Sequence, residues 1–176
     1  MKISSDIDLF AAQQAAARVA ARAEIRDVRL FSSTVELDNF PSTGSRLKWS
    51  LDTDVAVERE EDDSAFILRS KYTLAVFEAS ETSPESDIDS NSDSGGNSDE
   101  EGCVADLSFE FAALFNLEMC SGDEPVIDSE LQAYAFTTGQ FAIYPFAREY
   151  IYDVTGRLGL PPLTVGVLQF PVRRDS

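Results

Sequence analysis

Three stretches alternate apolar and polar residues with a period of two, and this pattern limits the folds open to the chain more than any other feature. In residues 103–118, Cys103, Ala105, Leu107, Phe109, Phe111, Ala113, Phe115 and Leu117 share one parity, while Asp106, Ser108 and Glu110 take the other. Successive side chains of a strand point to opposite faces, so the spacing predicts a strand with one buried and one wet face, its phenylalanines forming a hydrophobic spine. Residues 47–60 repeat the pattern, with Trp49, Leu51, Val55 and Val57 against Ser50, Asp52, Asp54, Glu58 and Glu60. In 66–78, Phe66, Leu68, Tyr72, Leu74 and Val76 face inward, and Arg69 and Lys71 face outward within reach of the acids on the preceding strand. Residues 25–38 form a fourth strand whose parity changes midway. Val28 and Leu30 share a face with Val35 and Leu37 only if one extra residue, a bulge, intervenes near Ser32 and Ser33.

The other periodic segments read as helices. Residues 5–24 are alanine-rich, with Ser5 and Asp8 placed for a capping box. Their stripe of Ile7, Phe10, Ala11 and Ala17 is modest, suited either to weak docking or to a frayed, solvent-facing helix. Residues 39–46 carry Pro41 and Gly44 and form a loop with Phe40 as its large apolar group. A short helix opens at Asp128-Ser129-Glu130 and runs to about Phe136, before Thr137-Thr138-Gly139 is expected to break it. The next helix spans 141–158. Pro145 lacks a backbone donor and fits only near a first turn, which sets the start near Phe141, and Gly159 before Leu160-Pro161-Pro162 marks the end. At ~100° per residue, Ile143, Tyr144, Ala147, Tyr150, Ile151, Val154 and Leu158 form its core face. Phe141, Pro145 and Tyr152 fall on the opposite side among Arg148, Glu149 and Thr155. Rings there are either ordinary exposed aromatics or part of a binding surface.

Successive strands followed by helices predict an α+β fold: a four-stranded antiparallel sheet with helices covering one face, plus an extra N-terminal helix. The expected organisation is an N-terminal helix over 1–24 and one domain over 25–176, with 80–102 an acidic insertion between strands. That insertion holds one isoleucine and no base, so it cannot bury enough apolar surface to offset chain ordering and is expected to be disordered. It serves either as a solvated loop or as an electrostatic bristle, and serines beside acids make it a candidate kinase substrate.

With 176 residues and 43% apolar composition the chain can build a real core, yet 32 acids against 14 bases leave it at -18. A field of that sign repels nucleic acid and anionic lipid and favours basic partners. The first residues have no unbroken apolar run, and no segment approaches ~20 consecutive apolar residues, so a cytoplasmic protein without membrane insertion is expected. The absence of histidine removes Ser-His and Cys-His catalysis and the favoured ligand of zinc and iron sites. No GxxxxGK, GxGxxG or GxSxG pattern occurs, and the acidic loop lacks the EF-hand spacing. Acid pairs such as Asp52/Asp54 and Glu58/Glu60 read as a solvated strand face. Cys103 and Cys120 lie outside any CxxC spacing and read as buried free thiols rather than a disulfide or metal pair. No enzyme, cofactor or metal is therefore expected. What remains is a binding protein: Phe40, Phe136, Phe141, Tyr144, Pro145 and Tyr152 could line grooves that hold extended apolar segments without a sequence code. The other reading is an adaptor that binds one folded partner through the acidic sheet face.

The run Tyr144-Pro145-Phe146-Ala147-Arg148-Glu149-Tyr150, followed by Asp153, Gly156-Arg157, Gly159 and Pro162-Leu163, resembles the helix and following loop of SecB-type export chaperones. The order of elements over roughly 25–165 agrees with that family. The resemblance implies a homotetramer, a dimer of dimers, that holds unfolded preproteins in hydrophobic grooves without nucleotide and passes them to the translocase motor SecA. It implies that the helix over 141–158 serves assembly and client binding, and that the acidic outer face, with Asp52, Asp54, Glu58, Asp106 and Glu110, contacts the motor. Asp27, within Ile25-Arg26-Asp27-Val28, resembles an acidic position on the family's first strand used for the same contact. Arg148 and Glu149 are assigned first to structural pairing. The family commonly has a further helix and a motor-engaging tail after the Pro-Pro-Leu loop, whereas here Leu168-Gln169-Phe170-Pro171 runs quickly to the end. Some SecB-like proteins instead accompany toxin–antitoxin pairs, so an aggregation-prone antitoxin is the second client class expected.

Overall fold

The computed structural model describes residues 9–60, 64–79, 102–118 and 124–168. The expected disorder of the acidic insertion, the beginning of the N-terminal helix with Ile7, and Cys120 lie outside these residues. In order, the elements are α1 (Leu9–Ala20), β1 (Ala23–Leu37), β2 (Leu47–Arg59), β3 (Ala65–Glu78), β4 (Cys103–Leu117), α2 (Asp128–Tyr134), a π-helical turn (Ala135–Gly139) and α3 (Gln140–Arg157). The four strands form one antiparallel sheet in the order β1-β4-β3-β2, so the expected α+β architecture is present.

Alternation decides which faces are buried. Phe66, Leu68, Tyr72, Leu74 and Val76 of β3 and Ala105, Leu107, Phe109, Phe111, Ala113, Phe115 and Leu117 of β4 are buried on the side facing the helices. Phe66 stacks on Phe115 at 4.9 Å and Tyr72 on Phe109 at 5.1 Å, while Tyr134 of α2 meets Phe66 and Phe115 edge-on. Such ring pairs add to the free energy of burial and fix how the helices sit on the sheet.

The parity change in β1 is resolved by a register shift at Phe31, which brings Leu30 opposite Phe111 and Val35 opposite Leu107. A second shift at Arg26 places Ile25 opposite Phe115 on the same face. A further shift, at Val104, differs from expectation. It turns Val104 into the core beside Ala105 and leaves Cys103 half-buried, with Cys103 Sγ donating to Asp106 on the outer face at 3.2 Å. Cys103 is thus a free thiol but not part of the inner face, because a bulge puts two successive side chains on one side.

The helices depart from the sequence reading in three places. Thr137-Thr138-Gly139 does not break the chain into two helices; it forms the π-helical turn through which α2 continues into α3. Thr137 Oγ1 donates to the Ala133 carbonyl at 2.6 Å, and Gly139 keeps helical dihedrals while lying against the Tyr134 ring. Pro145 therefore lies inside α3 rather than in a first turn. Its ring is exposed, on the side away from the sheet, where a lost intrahelical hydrogen bond is best tolerated. Thr155, expected on the outer side, is buried: its hydroxyl donates to the Ile151 carbonyl at 2.8 Å and accepts from Leu163 N–H at 2.9 Å. The end of α3 follows expectation. Gly159 takes φ 77, and the bonds Leu160 N–H to Thr155 O and Gly159 N–H to Gly156 O complete a Schellman cap.

In α1, Ala16 and Val19 are buried and Ala17 is exposed, so the docked stripe is rotated from the one read in the sequence. The helix docks on α2 through an ion pair as well as through packing. Arg18 Nη1 meets Glu130 at 2.8 Å, and the Glu130 carboxylate also accepts the Ile127 N–H at 3.1 Å to cap α2. Arg22 adds donations to the carbonyls of Glu118 and Glu124.

Candidate functional site: an exposed aromatic strip and an acidic sheet face

The core of α3 is Ile143, Ala147 and Ile151, all fully buried. Two side chains flanking that core fasten the segment after the helix. Tyr144 OH donates to the Gly166 carbonyl at 2.7 Å, and Arg148 Nε donates to the Val165 carbonyl at 3.0 Å, with Val165 itself buried. Arg148 thus has the structural task expected of it, although its partner is a backbone carbonyl rather than an acid. Burial raises the Tyr144 phenol above its ordinary value, so it stays a donor at neutral pH.

The opposite side of α3 is where apolar surface remains in water. Phe141, Pro145 and Tyr152 are exposed, Tyr152 to 54%, and Phe146, not singled out from the sequence as an outer-face ring, is exposed beside them. Phe136 projects from the π-helical turn and is also exposed. Phe40 stands 87% exposed in the β1–β2 loop, well away from any core role. Tyr144 differs from the other candidates: it is half-buried and committed to its hydrogen bond.

The helices cover β3 and β4 but leave the edge strand open, which the sequence reading did not anticipate. Ile25, Leu30 and Val35 on the inner side of β1 are exposed, as are Phe31 at its bulge and Trp49 on β2. Tyr150 reaches β1 through a hydroxyl pair with Ser33 and packs on Phe109 and Phe111. Local alternation marks which face a residue takes, but not which strand lies at an edge, so these exposed groups left no signal in the sequence.

On the outer face, Asp52, Asp54, Glu58 and Asp106 are exposed and Glu110 is half-buried. Asp27 joins them in register opposite Leu114 and pairs with Arg29 at 2.5 Å. The face is not uniformly negative. Arg69 pairs with Glu110 and, at 3.2 Å, with Glu58, and its guanidinium lies 4.3 Å above the Phe31 ring. Hydrogen bonds from Arg69 to Glu110 and then Glu58 raise its pKa further above the ordinary range. Asp106 instead lies near Cys103 and Asp38, whose ligand atoms all fall within 4.8 Å of one another. Burial, then Asp106 and Asp38, pushes the thiol up to about 12, so at neutral pH it is a hydrogen-bond donor and not a thiolate. Among the described residues no helix is long and apolar enough to cross a membrane.

No protein-family model matches the sequence. Two curated proteins do: the SecB-like chaperones MT2006 and Rv1957, from the Mycobacterium tuberculosis strains CDC 1551 / Oshkosh and ATCC 25618 / H37Rv respectively. Each is 39% identical over 170 residues, covering 96% of this chain and 88% of the relative. A solved structure of the M. tuberculosis SecB-like chaperone Rv1957, in complex with a ChAD peptide from the Rv1956 HigA1 antitoxin, superposes with a TM-score of 0.72 at 37% identity. The match covers 90% of this chain and 99% of the other. Identity of this extent over nearly the whole chain, on the same four-stranded sheet with helices, makes the chain a member of the SecB-like chaperones.

Proposed function

We propose that this protein is an ATP-independent holdase that binds non-native polypeptide, with an antitoxin as its principal client and preprotein as the broader class. The observation that carries the reading is the outward strip of Phe136, Phe141, Phe146 and Tyr152, rings that no part of the described core requires. Half-exposed rings on one helical side accept many apolar segments, since their burial is favourable whatever the detailed partner. The antitoxin is favoured because the solved relative holds an antitoxin peptide.

The rest of the proposal concerns assembly and partners. The exposed apolar residues of β1, Ile25, Leu30, Phe31 and Val35, support assembly into a homotetramer working in the cytoplasm. The acidic outer face around Asp27, Asp52, Asp54, Asp106 and Glu110 is the surface assigned to a folded partner such as SecA, with Phe40 and Pro145 at the margin of the client surface.

The test is aggregation of an unfolded client. A stoichiometric amount of the protein should suppress it without nucleotide, and failure to do so would sink the proposal. Phe141→Ser/Tyr152→Ser should weaken client affinity by about tenfold or more while circular dichroism stays unchanged.

A further inference from the structure

The sheet has two ends, and they are built differently. Along β1 the ladder to β4 slips at Arg26 and again at Phe31. Along β2 the ladder to β3 runs from Leu47 opposite Glu78 to Arg59 opposite Phe66 without a slip. Bulges and prolines are the devices that stop an edge from accepting another strand. β2 contains neither over its 13 residues, and its far edge carries no strand among the described residues.

The two faces of this edge differ in chemistry. On the inner side Trp49 is exposed and Leu51 and Val57 are half-buried, and the π-helical turn that carries Phe136 lies against β2. On the outer side Asp52 and Asp54 stand exposed in mid-strand, while Glu58 shares Arg69 with Glu110. Lys71 faces Asp54 from β3, the closed side of the ladder, so the open side of both aspartates looks toward the free edge.

We infer that a client segment is taken up as an added strand on β2, and that the preferred segment alternates apolar with cationic residues. The inference rests on the holdase reading and deepens it by naming the client's pattern. Main-chain hydrogen bonds to the edge supply affinity without a sequence code, and the two faces supply selectivity, because alternate side chains of an added strand stand on alternate faces. Residues of one parity meet the Trp49 and Leu51 side. Residues of the other stand beside Asp52 and Asp54, at the spacing where opposite charges across strands attract.

Synthetic 13-residue peptides, the length of β2, test this with the unaltered protein. One alternates leucine and lysine, a second has the same composition in two blocks, and a third replaces lysine by glutamate. Two further versions of the first carry N-methyl groups on odd or on even residues, removing the donors of one edge or the other. The alternating lysine peptide should bind about tenfold or more tightly than the blocked and glutamate peptides, and one N-methyl series should lose binding while the other keeps it. Asp52→Asn/Asp54→Asn should weaken the lysine peptide and leave the glutamate peptide no weaker. Equal affinity for alternating and blocked peptides, or equal behaviour of the two N-methyl series, would overturn the inference. Aggregation suppression by the same preparation separates the two readings: if it persists while the peptides fail, the strand mode falls and the holdase stands. If suppression and peptide binding both fail, both readings fall.

Discussion

Gly139 has helical dihedrals, where alanine ordinarily stabilises a helix by up to ~1 kcal/mol. Here a Cβ would lie 3.1 Å from the Tyr134 ring and 3.1 Å from the Tyr134 carbonyl, so the usual sign reverses. Gly139→Ala should lower stability by about 1–3 kcal/mol in urea denaturation, as overpacking does. At Gly159 the reason for glycine is different: its φ of 77 strains any other residue, and Gly159→Ala should lose about 1 kcal/mol. Cys103 sets a pH expectation. In a Cys120→Ser background its alkylation should stay slow at pH 8 and accelerate only as the pH nears about 12, where the thiol ionises. The sign for stability follows from the same shift. The unfolded thiol ionises near 9.0 and the folded one later, so this contribution is whole below 9.0 and is eroded between that value and about 12.

At the scale of elements, the π-helical turn fixes the phase between α2 and α3. One residue in a helix turns everything after it by about 100°, so deleting Thr138 would regularise the helix and swing Ile143, Ala147 and Ile151 away from the sheet. Loss of cooperative unfolding and of solubility is expected, measured by circular dichroism and gel filtration. The segment after α3 depends on three side chains: Tyr144, Arg148 and Thr155. Thr155→Val keeps the shape but removes the acceptor of Leu163 N–H, and should cost about 1–3 kcal/mol. Tyr144→Phe removes one bond and should cost about 1 kcal/mol, with faster amide exchange in 163–168 as the local readout.

For the molecule as a whole, what the sequence made legible was whatever a single element encodes. Alternation assigned the faces of β2, β3 and β4, and the phase conflict between Leu30 and Val35 located a bulge at Phe31. Three features stayed hidden because they depend on neighbours. Cys103 was read with the inner face, since nothing local announces the slip at Val104. Thr137-Thr138-Gly139 has the composition of a helix breaker, and only the backward bond of Thr137 and the packing of Gly139 on Tyr134 show otherwise. The open inner side of β1 follows from its place at the end of the strand order, which no single strand encodes. The exposed rings of α3 were legible as an outer-face set, and their number grew with Phe146.

The close of the β3–β4 ladder has a practical consequence. Glu78 N–H donates to the Gly102 carbonyl at 3.2 Å, and Ala79 N–H is held by the Arg46 carbonyl at 2.8 Å, so the long acidic connection starts and finishes at one fastened point. Its contour length is thereby uncoupled from strand register. A two-residue Asn-Gly turn spliced between the two strands, or new termini opened between them in a circular permutant, should leave the melting temperature within a few degrees of the parent. The same point is where a fluorescent reporter can be inserted to follow client capture without touching any surface that captures it.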